Sequence, residues 1–157
     1  MGRVADRLAE LGITLPGVAA PVASYVPTVR TGSLIFTSGQ LPFVDGALPA
    51  TGKVGDGEGL VSAEDAKGYA RTCALNAIAA VAAQLDGDLD RVARIVKVVG
   101  FVASDPSFTG QPGVINGASD LLAEVFGDAG IHARSAVGVA ALPLDAPVEV
   151  EIVVEVA

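Results

Sequence analysis

The C-terminal segment of the chain alternates apolar and acidic residues almost without interruption over nine positions, 148–156, as VEVEIVVEV. Because successive side chains of a β-strand point to opposite faces of its sheet, this pattern predicts a strand with one fully apolar face. The three acids, Glu149, Glu151 and Glu155, then share the other face. The chain must therefore form a sheet and also a layer that covers its apolar face.

Segments of helical period can supply that layer. Periodicity, capping residues and turn residues predict a short helix that ends at Gly12, followed by elements in the order β-β-α-β-α-β-β. Their predicted ranges are 25–29, 33–38, 63–85, 91–103, 112–126, 133–142 and 148–156. We expect an α+β fold with a single sheet and two helices on one face of it. We also expect one domain, 1–157, in which residues 1–20 are a helical extension and linker.

Charge and composition argue against several classes of function. The chain carries 18 acidic and 10 basic residues, a formal net charge of -8, whereas binding to a nucleic-acid backbone requires clustered Lys and Arg. One cysteine, Cys73, and one histidine, His132, are too few for a Cys- or His-based metal site, and we expect no metal and no organic cofactor. No apolar run approaches the ~20 residues of a membrane span, and the N-terminus lacks a signal-peptide core. We therefore expect a cytoplasmic protein.

Arg134 is the candidate ligand-binding residue. It lies in an apolar strand segment, 133–140, that contains no carboxylate. An unpartnered guanidinium is costly in such surroundings, so a partner is expected. Two alternatives stay open: a structural ion pair with Glu149 or Glu151, or a ligand carboxylate held by the planar fork of the arginine. The nearby His132 is interpreted as a surface residue, with a donor role at a pocket rim as the alternative.

The predicted turn at 143–147 gives the first alternative a geometric test. If the last two strands pair as a hairpin about this turn, Glu149 lies beside the turn and Arg134 lies about 7 residues, or ~23 Å, away along the strand. One subunit then cannot bring both side chains to one ligand, so a site that uses both has to span two subunits. The apolar content, 51% of residues, agrees with burial of a subunit interface.

Two separated segments carry a family resemblance. The run ARSAVGVAALPLD at 133–145, followed by VEVEI at 148–152, resembles the C-terminal signature of the RidA/YjgF family, and LIFTSGQLP at 34–42 resembles its N-terminal signature. The helix at the N-terminus and the VINGASD stretch at 114–120 resemble the endoribonuclease L-PSP-like branch. The resemblance covers about residues 22–157. It implies a chorismate-mutase-like fold and a homotrimer with pockets between subunits.

The resemblance also implies roles for individual residues. Arg134 matches the arginine that binds the substrate carboxylate, Glu149 the acid proposed to activate water, and Tyr25 a pocket tyrosine. The remaining matches are positions that line the ligand site: Gly39 in the Ser-Gly-Gln turn, Asn116 on a helix, and Ala136. The sequence departs from the family pattern at four positions. Ala133 replaces a proline, Ala136 replaces a cysteine, and Gly138 and Ala141 replace charged residues that are common in the family.

The activity implied is that of a hydrolase, an enamine/imine deaminase that converts 2-imino or 2-enamino acids to 2-keto acids and ammonia without a cofactor. The chemistry suits the residues, because a carboxylate can move a proton between water and the departing nitrogen while the arginine orients the substrate. The alternative is a non-catalytic trimer that binds small carboxylate metabolites. An endoribonuclease is third, since the chain is acidic and has no histidine pair or basic patch.

Overall fold

The computed structural model describes residues 2–18 and 23–157. The helices are α1 (Arg3–Glu10), α2 (Ala63–Gln84) and α3 (Gln111–Phe126), and the strands are β1 (Thr28–Thr31), β2 (Leu34–Thr37), β3 (Val92–Ala103), β4 (Ala133–Val139) and β5 (Val148–Val156). The predicted order of elements is confirmed. Part of the predicted linker, residues 19–22, lies outside the described residues. Among the described residues, no helix is long and apolar enough to cross a membrane.

Two strands, β1 and β4, differ from their predicted ranges by more than one residue, for local reasons. The first strand was expected at 25–29 but begins at Thr28, because Pro27 has no N–H to donate to the ladder. It continues through Thr31, and the turn to β2 uses Gly32, whose φ is +57°. Strand β4 ends at Val139 rather than at residue 142, since its partner β3 ends at the same level, where Ala103 pairs with Val139.

The five strands form one mixed sheet in the order β1-β2-β5-β3-β4. Only β3 and β4 are parallel, and α3 connects them as the crossover of a βαβ unit. The predicted hairpin between the last two strands is therefore wrong. Strand β3 lies between β4 and β5 and pairs with both. The residues after β4 carry the chain across β3 to its other neighbour instead of turning directly back.

Both long helices cover the same face of the sheet. The apolar positions of β5 are buried there, as the alternation predicts, together with the inner sides of α2 and α3. The two helices pack closely where Gly117 of α3 meets the carbonyl oxygen of Lys67 on α2, and a Cβ at Gly117 would overlap that oxygen. The resulting core consists mainly of alanine and branched aliphatic side chains.

The helix α1 is fixed to the domain through its N-terminus. The carboxylate of Asp90 accepts hydrogen bonds from the backbone N–H of Arg3 and of Val4, both at 2.8 Å. Val4 and Leu8 are buried against the core, and the Arg7 side chain donates to the backbone carbonyl of Glu124 near the end of α3. The N-terminal extension is thus an integral part of the packed structure.

No helix or strand among the described residues covers the other face of the sheet. We call it the open face. The register sets on it the apolar Val29, Leu34, Phe36, Val99, Phe101, Val137 and Val153, the basic Arg94 and Lys97, and the acidic Glu149, Glu151 and Glu155. Three of its apolar side chains are strongly exposed, namely Val29, Phe36 and Val137. Its acids share one face of β5, as predicted. An apolar surface of this kind is typical of a protein–protein interface.

Candidate functional site

The guanidinium of Arg134 is held by α3 through neutral acceptors. Its Nη1 donates to Asn116 Oδ1 at 2.8 Å and to Ser119 Oγ at 3.2 Å, and its Nη2 donates to the backbone carbonyl of Pro112 at 3.2 Å. These acceptors lie on one side of the helix, at positions i, i+4 and i+7. The alternative of an ion pair with Glu149 or Glu151 is not realised within the described part of the chain.

The arrangement leaves binding capacity on the arginine. A guanidinium has five N–H donors, of which three are used here. The donors that remain are the Nε–H and one Nη2–H, the number that a carboxylate accepts in a bidentate pair. The positive charge of Arg134 faces no carboxylate among the residues that the structure describes. The side chain is therefore oriented by this chain but not neutralised by it.

A serine and a histidine extend this network. Ser119 Oγ lies 2.8 Å from His132 Nε2, and His132 Nδ1 lies 2.6 Å from the backbone carbonyl of Gly130. Both side chains are partly buried. Ser119 was not among the site residues predicted from the sequence. The signal available was its spacing, since Pro112, Asn116 and Ser119 share one side of the predicted helix.

Glu149 forms a second cluster with Gly39. Strand β2 pairs with β5 up to Phe36 opposite Val153, and pairing resumes at Gln40 opposite Val150, so β2 contains one extra residue, a bulge. This bulge brings the backbone of Gly39 against the Glu149 carboxylate, which a Cβ at position 39 would overlap. A glycine is thus required for the close approach.

The environment of Glu149 favours its protonated form. Burial raises the pKa of the Glu149 carboxyl, and the negative charge of Glu151, two residues along the strand, raises it further. A carboxyl with a raised pKa exchanges protons more readily near neutral pH than an ordinary glutamate does. The geometry and the pKa both suit Glu149 to proton transfer.

The Arg134 and Glu149 side chains lie on opposite faces of the sheet. Arg134 pairs with Val98, which is buried under the helices, whereas Glu149 pairs with Phe101 on the open face. Three residues along β3 and two strand spacings separate their Cα atoms, about 14 Å. This is shorter than the separation of the predicted hairpin, but it still prevents both side chains from reaching one small ligand within one chain.

Almost the whole chain matches one family model. Residues 5–156 fit the model described as "YjgF/chorismate_mutase-like, putative endoribonuclease". The chain belongs to this family. The resemblance seen in the two sequence signatures is confirmed, and so is the fold that it implied.

Relatives of high and of low sequence identity to this chain support its membership in the YjgF family. "Protein TCP17" of Trypanosoma cruzi is 50% identical over 98% of this chain and 94% of its own. The crystal structure of Atu1372 from Agrobacterium tumefaciens, a protein of unknown function, is 45% identical, with a TM-score of 0.88 over 98% of this chain and 92% of that one. Escherichia coli TdcF, solved with bound serine, is 25% identical, with a TM-score of 0.63 over 92% and 96%.

The residues suggested by the YjgF family signature form two separate groups in this chain. Asn116 contacts Arg134, and Ala136 lies two residues further along β4 on the same face of the sheet, packed against the core. Gly39 contacts Glu149. Tyr25 belongs to neither pair, since its exposed side chain precedes β1, at the edge of the sheet opposite β4. Among the described residues, no group of His, Cys, Asp or Glu could hold a metal ion.

Proposed function

We propose that this protein is an enamine/imine deaminase, which hydrolyses 2-imino or 2-enamino acids to 2-keto acids and ammonia. The observation that carries the proposal is the unneutralised guanidinium of Arg134, fixed by three neutral acceptors with two N–H donors to spare. Such a group suits a small ligand with a carboxylate. The serine bound to the related TdcF, an amino acid, is a ligand of this class.

The chemistry needs a proton carrier beside the orienting arginine. Water adds to the imine carbon and forms a C–O bond, while Glu149 accepts one proton of the water and passes it to the nitrogen, which gives a carbinolamine. Glu149 then takes the proton of the new hydroxyl group and delivers it to the nitrogen as the C–N bond breaks, which releases ammonia and leaves the keto group. Its raised pKa and its position beside the Gly39 backbone support this role. No step of the reaction requires a metal or an organic cofactor.

A complete site then has to combine two copies of the chain, with Arg134 from one and Glu149 from another. The two side chains face opposite sides of the sheet, and β4, which carries Arg134, is an edge strand beside which another copy can lie. We propose the homotrimer implied by the family, assembled through the open face. Its exposed Val29, Phe36 and Val137 would be buried by this assembly.

The test is release of pyruvate and ammonia from 2-iminopropanoate, generated in place by an amino-acid oxidase, above the rate of spontaneous hydrolysis. We expect Arg134→Ala to lose about 100-fold or more in kcat/KM, since it removes two charge-assisted hydrogen bonds. Arg71→Ala is the matched control, because Arg71 pairs with Glu124 on the outer side of the helices. Equal rates for wild type and Arg134→Ala would refute the proposal.

A binding protein without turnover is the second candidate. The Arg134 network is sufficient to bind a carboxylate and includes no group that does chemistry. This candidate predicts saturable binding of 2-keto acids, lost in Arg134→Ala, with no ammonia released above the spontaneous rate. The endoribonuclease activity in the family description has less support, since the chain has a net charge of -8 and its open face carries three glutamates against two basic residues, Arg94 and Lys97.

A further inference from the structure

When the His132 ring is neutral, the hydrogen bonds around Ser119 have only one possible direction. Arg134 Nη1 is a donor, so Ser119 Oγ accepts from it, and the Ser119 hydroxyl hydrogen has to point elsewhere. The carbonyl of Gly130 is an acceptor, so His132 Nδ1 must carry the hydrogen of that bond. In a neutral ring Nε2 is then an acceptor, and it lies 2.8 Å from Ser119 Oγ. The bonds therefore run from Arg134 to Ser119 to His132, and from His132 to Gly130.

We propose that Ser119 and His132 are positioning residues for Arg134, which fix the guanidinium in the orientation that binds the ligand carboxylate. The inference rests on the proposed function for the identity of that ligand. Ser119 lies on α3, and His132 lies just before β4, so the pair joins α3 to the start of the strand that carries Arg134. In the neutral form of the ring, His132 orients Arg134 without adding a second positive charge beside it.

Ser119 and His132 affect the direction in which the two unused N–H groups of Arg134 point. Arg134 is a long side chain with several rotatable bonds, and each fixed N–H restricts the plane of its guanidinium. Asn116 and Pro112 supply two of the three acceptors, but Asn116 is exposed and the Pro112 carbonyl lies at the exposed first turn of α3. Ser119 is the acceptor that is partly buried and itself held in place, by His132. Removing it should broaden the orientations of Arg134 and weaken ligand binding.

Paired substitutions separate positioning from simple packing. Ser119→Ala removes the hydroxyl, whereas Ser119→Thr keeps it. His132→Asn can still donate to Gly130 but offers no acceptor at the Nε2 position, whereas His132→Gln extends an amide oxygen towards that position. We expect Kd for pyruvate, measured by calorimetry, to rise about 10-fold in Ser119→Ala and about 5-fold in His132→Asn. The Thr and Gln variants should stay within about 2-fold of wild type.

The imidazole provides a readout that does not depend on any ligand. His132 is the only histidine of the chain, so ¹⁵N-histidine labelling gives the NMR signals of this ring alone. At a pH where the ring is neutral, we expect the hydrogen on Nδ1 and an Nε2 without hydrogen. In Ser119→Ala, the Nε2 resonance should shift because it loses its donor, while in Ser119→Thr it should remain.

The outcomes are distinct. Weaker pyruvate binding in Ser119→Ala and His132→Asn, rescue in the paired variants and the Nδ1–H tautomer together support the inference. Unchanged Kd in both variants, or the Nε2–H tautomer in the wild type, overturns it. Variants that are merely less stable show a lower Tm with an unchanged Kd of the folded protein, which also overturns it. If wild type neither binds pyruvate nor hydrolyses 2-iminopropanoate, the proposed function fails, and the tautomer alone then decides whether the network exists.

Discussion

Arg134 and Glu149 project from opposite faces of one sheet, three residue positions apart along the strand that separates them. The register fixes this relationship, since Arg134 pairs with Val98 and Glu149 with Phe101 on β3. A change of side-chain rotamer cannot move either group through the sheet. Any ligand that contacts both residues must therefore lie between two copies of the chain.

The raised pKa of Glu149 has a consequence for stability. A carboxyl whose pKa is higher in the folded state than in the unfolded state favours folding below its ordinary pKa of 4.5. It loses this contribution as the pH rises through the folded pKa. We therefore expect Glu149→Gln to raise Tm relative to wild type at pH 7. The difference should shrink towards zero near pH 4. Differential scanning calorimetry across this range measures it.

The control for that experiment is Glu155→Gln on the same face of β5. Glu155 forms an ion pair with Arg94 at 3.4 Å, so we expect Glu155→Gln to raise Tm less than Glu149→Gln does. A Glu149→Gln variant that is no more stable than wild type at pH 7 would show that burial does not penalise this carboxylate.

Gly39 should matter for activity more than for folding. A Cβ at this position overlaps the end of the Glu149 side chain, which can rotate away without disturbing the backbone. We expect Gly39→Ala to fold with a nearly unchanged Tm but to lose about 10-fold or more in kcat for imine hydrolysis, because the carboxylate is displaced from its position. Gly68→Ala on α2 is the control, since a Cβ there meets nothing within 4 Å. Full activity of Gly39→Ala would remove Glu149 from the mechanism.

The packing of α2 on α3 predicts opposite effects for two glycines of one helix. At Gly117 a Cβ would overlap the backbone carbonyl of Lys67, which cannot move without separating the helices. We expect Gly117→Ala to destabilise the protein by about 1–3 kcal/mol or more. At Gly113 a Cβ meets nothing within 4 Å, so Gly113→Ala should stabilise by up to about 1 kcal/mol. Urea unfolding compares them, and equal effects would contradict the close contact.

The attachment of α1 should depend on pH through Asp90. Hydrogen bonds from the Val4 and Arg3 amides lower the pKa of the Asp90 carboxyl below 3.8, although burial opposes them. Because the pKa of this carboxyl is lower in the folded state, the carboxylate stabilises the attachment at a pH above its unfolded pKa. This contribution is lost as the pH falls through the folded pKa. In Asp90→Ala we expect the amide hydrogens of α1 to exchange faster at neutral pH, while those of β5 keep their protection. Unchanged exchange in α1 would show that this cap is dispensable.

The sequence predicted the order of elements because each element has a local signature. Each of these signals lies within a few residues of the element that it specifies: the alternation at 148–156 for β5, the N-cap Ser62 for α2, and Pro112 for the start of α3. The pairing of strands is not local, and the turn at 143–147 suggested a hairpin that does not form. The better signal was the strand–helix–strand succession of β3, α3 and β4, which favours a parallel pair.

Some residues of the candidate site likewise have a local sequence signal, whereas others depend on contacts between distant segments. Arg134 stood out because a lone arginine in an apolar strand needs a partner, and Glu149 because of its position in an alternating strand. Ser119 was not predicted because its role depends on how β4 packs against α3. That packing brings both Arg134 and His132 into contact with Ser119. The bulge that sets Gly39 against Glu149 likewise depends on pairing between distant segments.

The central claim is that each site takes Arg134 and Glu149 from different copies of the chain, and mixing two inactive variants tests it most directly. Arg134→Ala and Glu149→Gln are unfolded together, refolded as mixed oligomers, and assayed for hydrolysis of 2-iminopropanoate. Random assembly of equal amounts leaves both residues intact in about a quarter of the sites shared between subunits. We predict recovery of about that fraction of the wild-type rate, with each variant refolded alone remaining inactive. A mixture as inactive as its components would contradict the shared site.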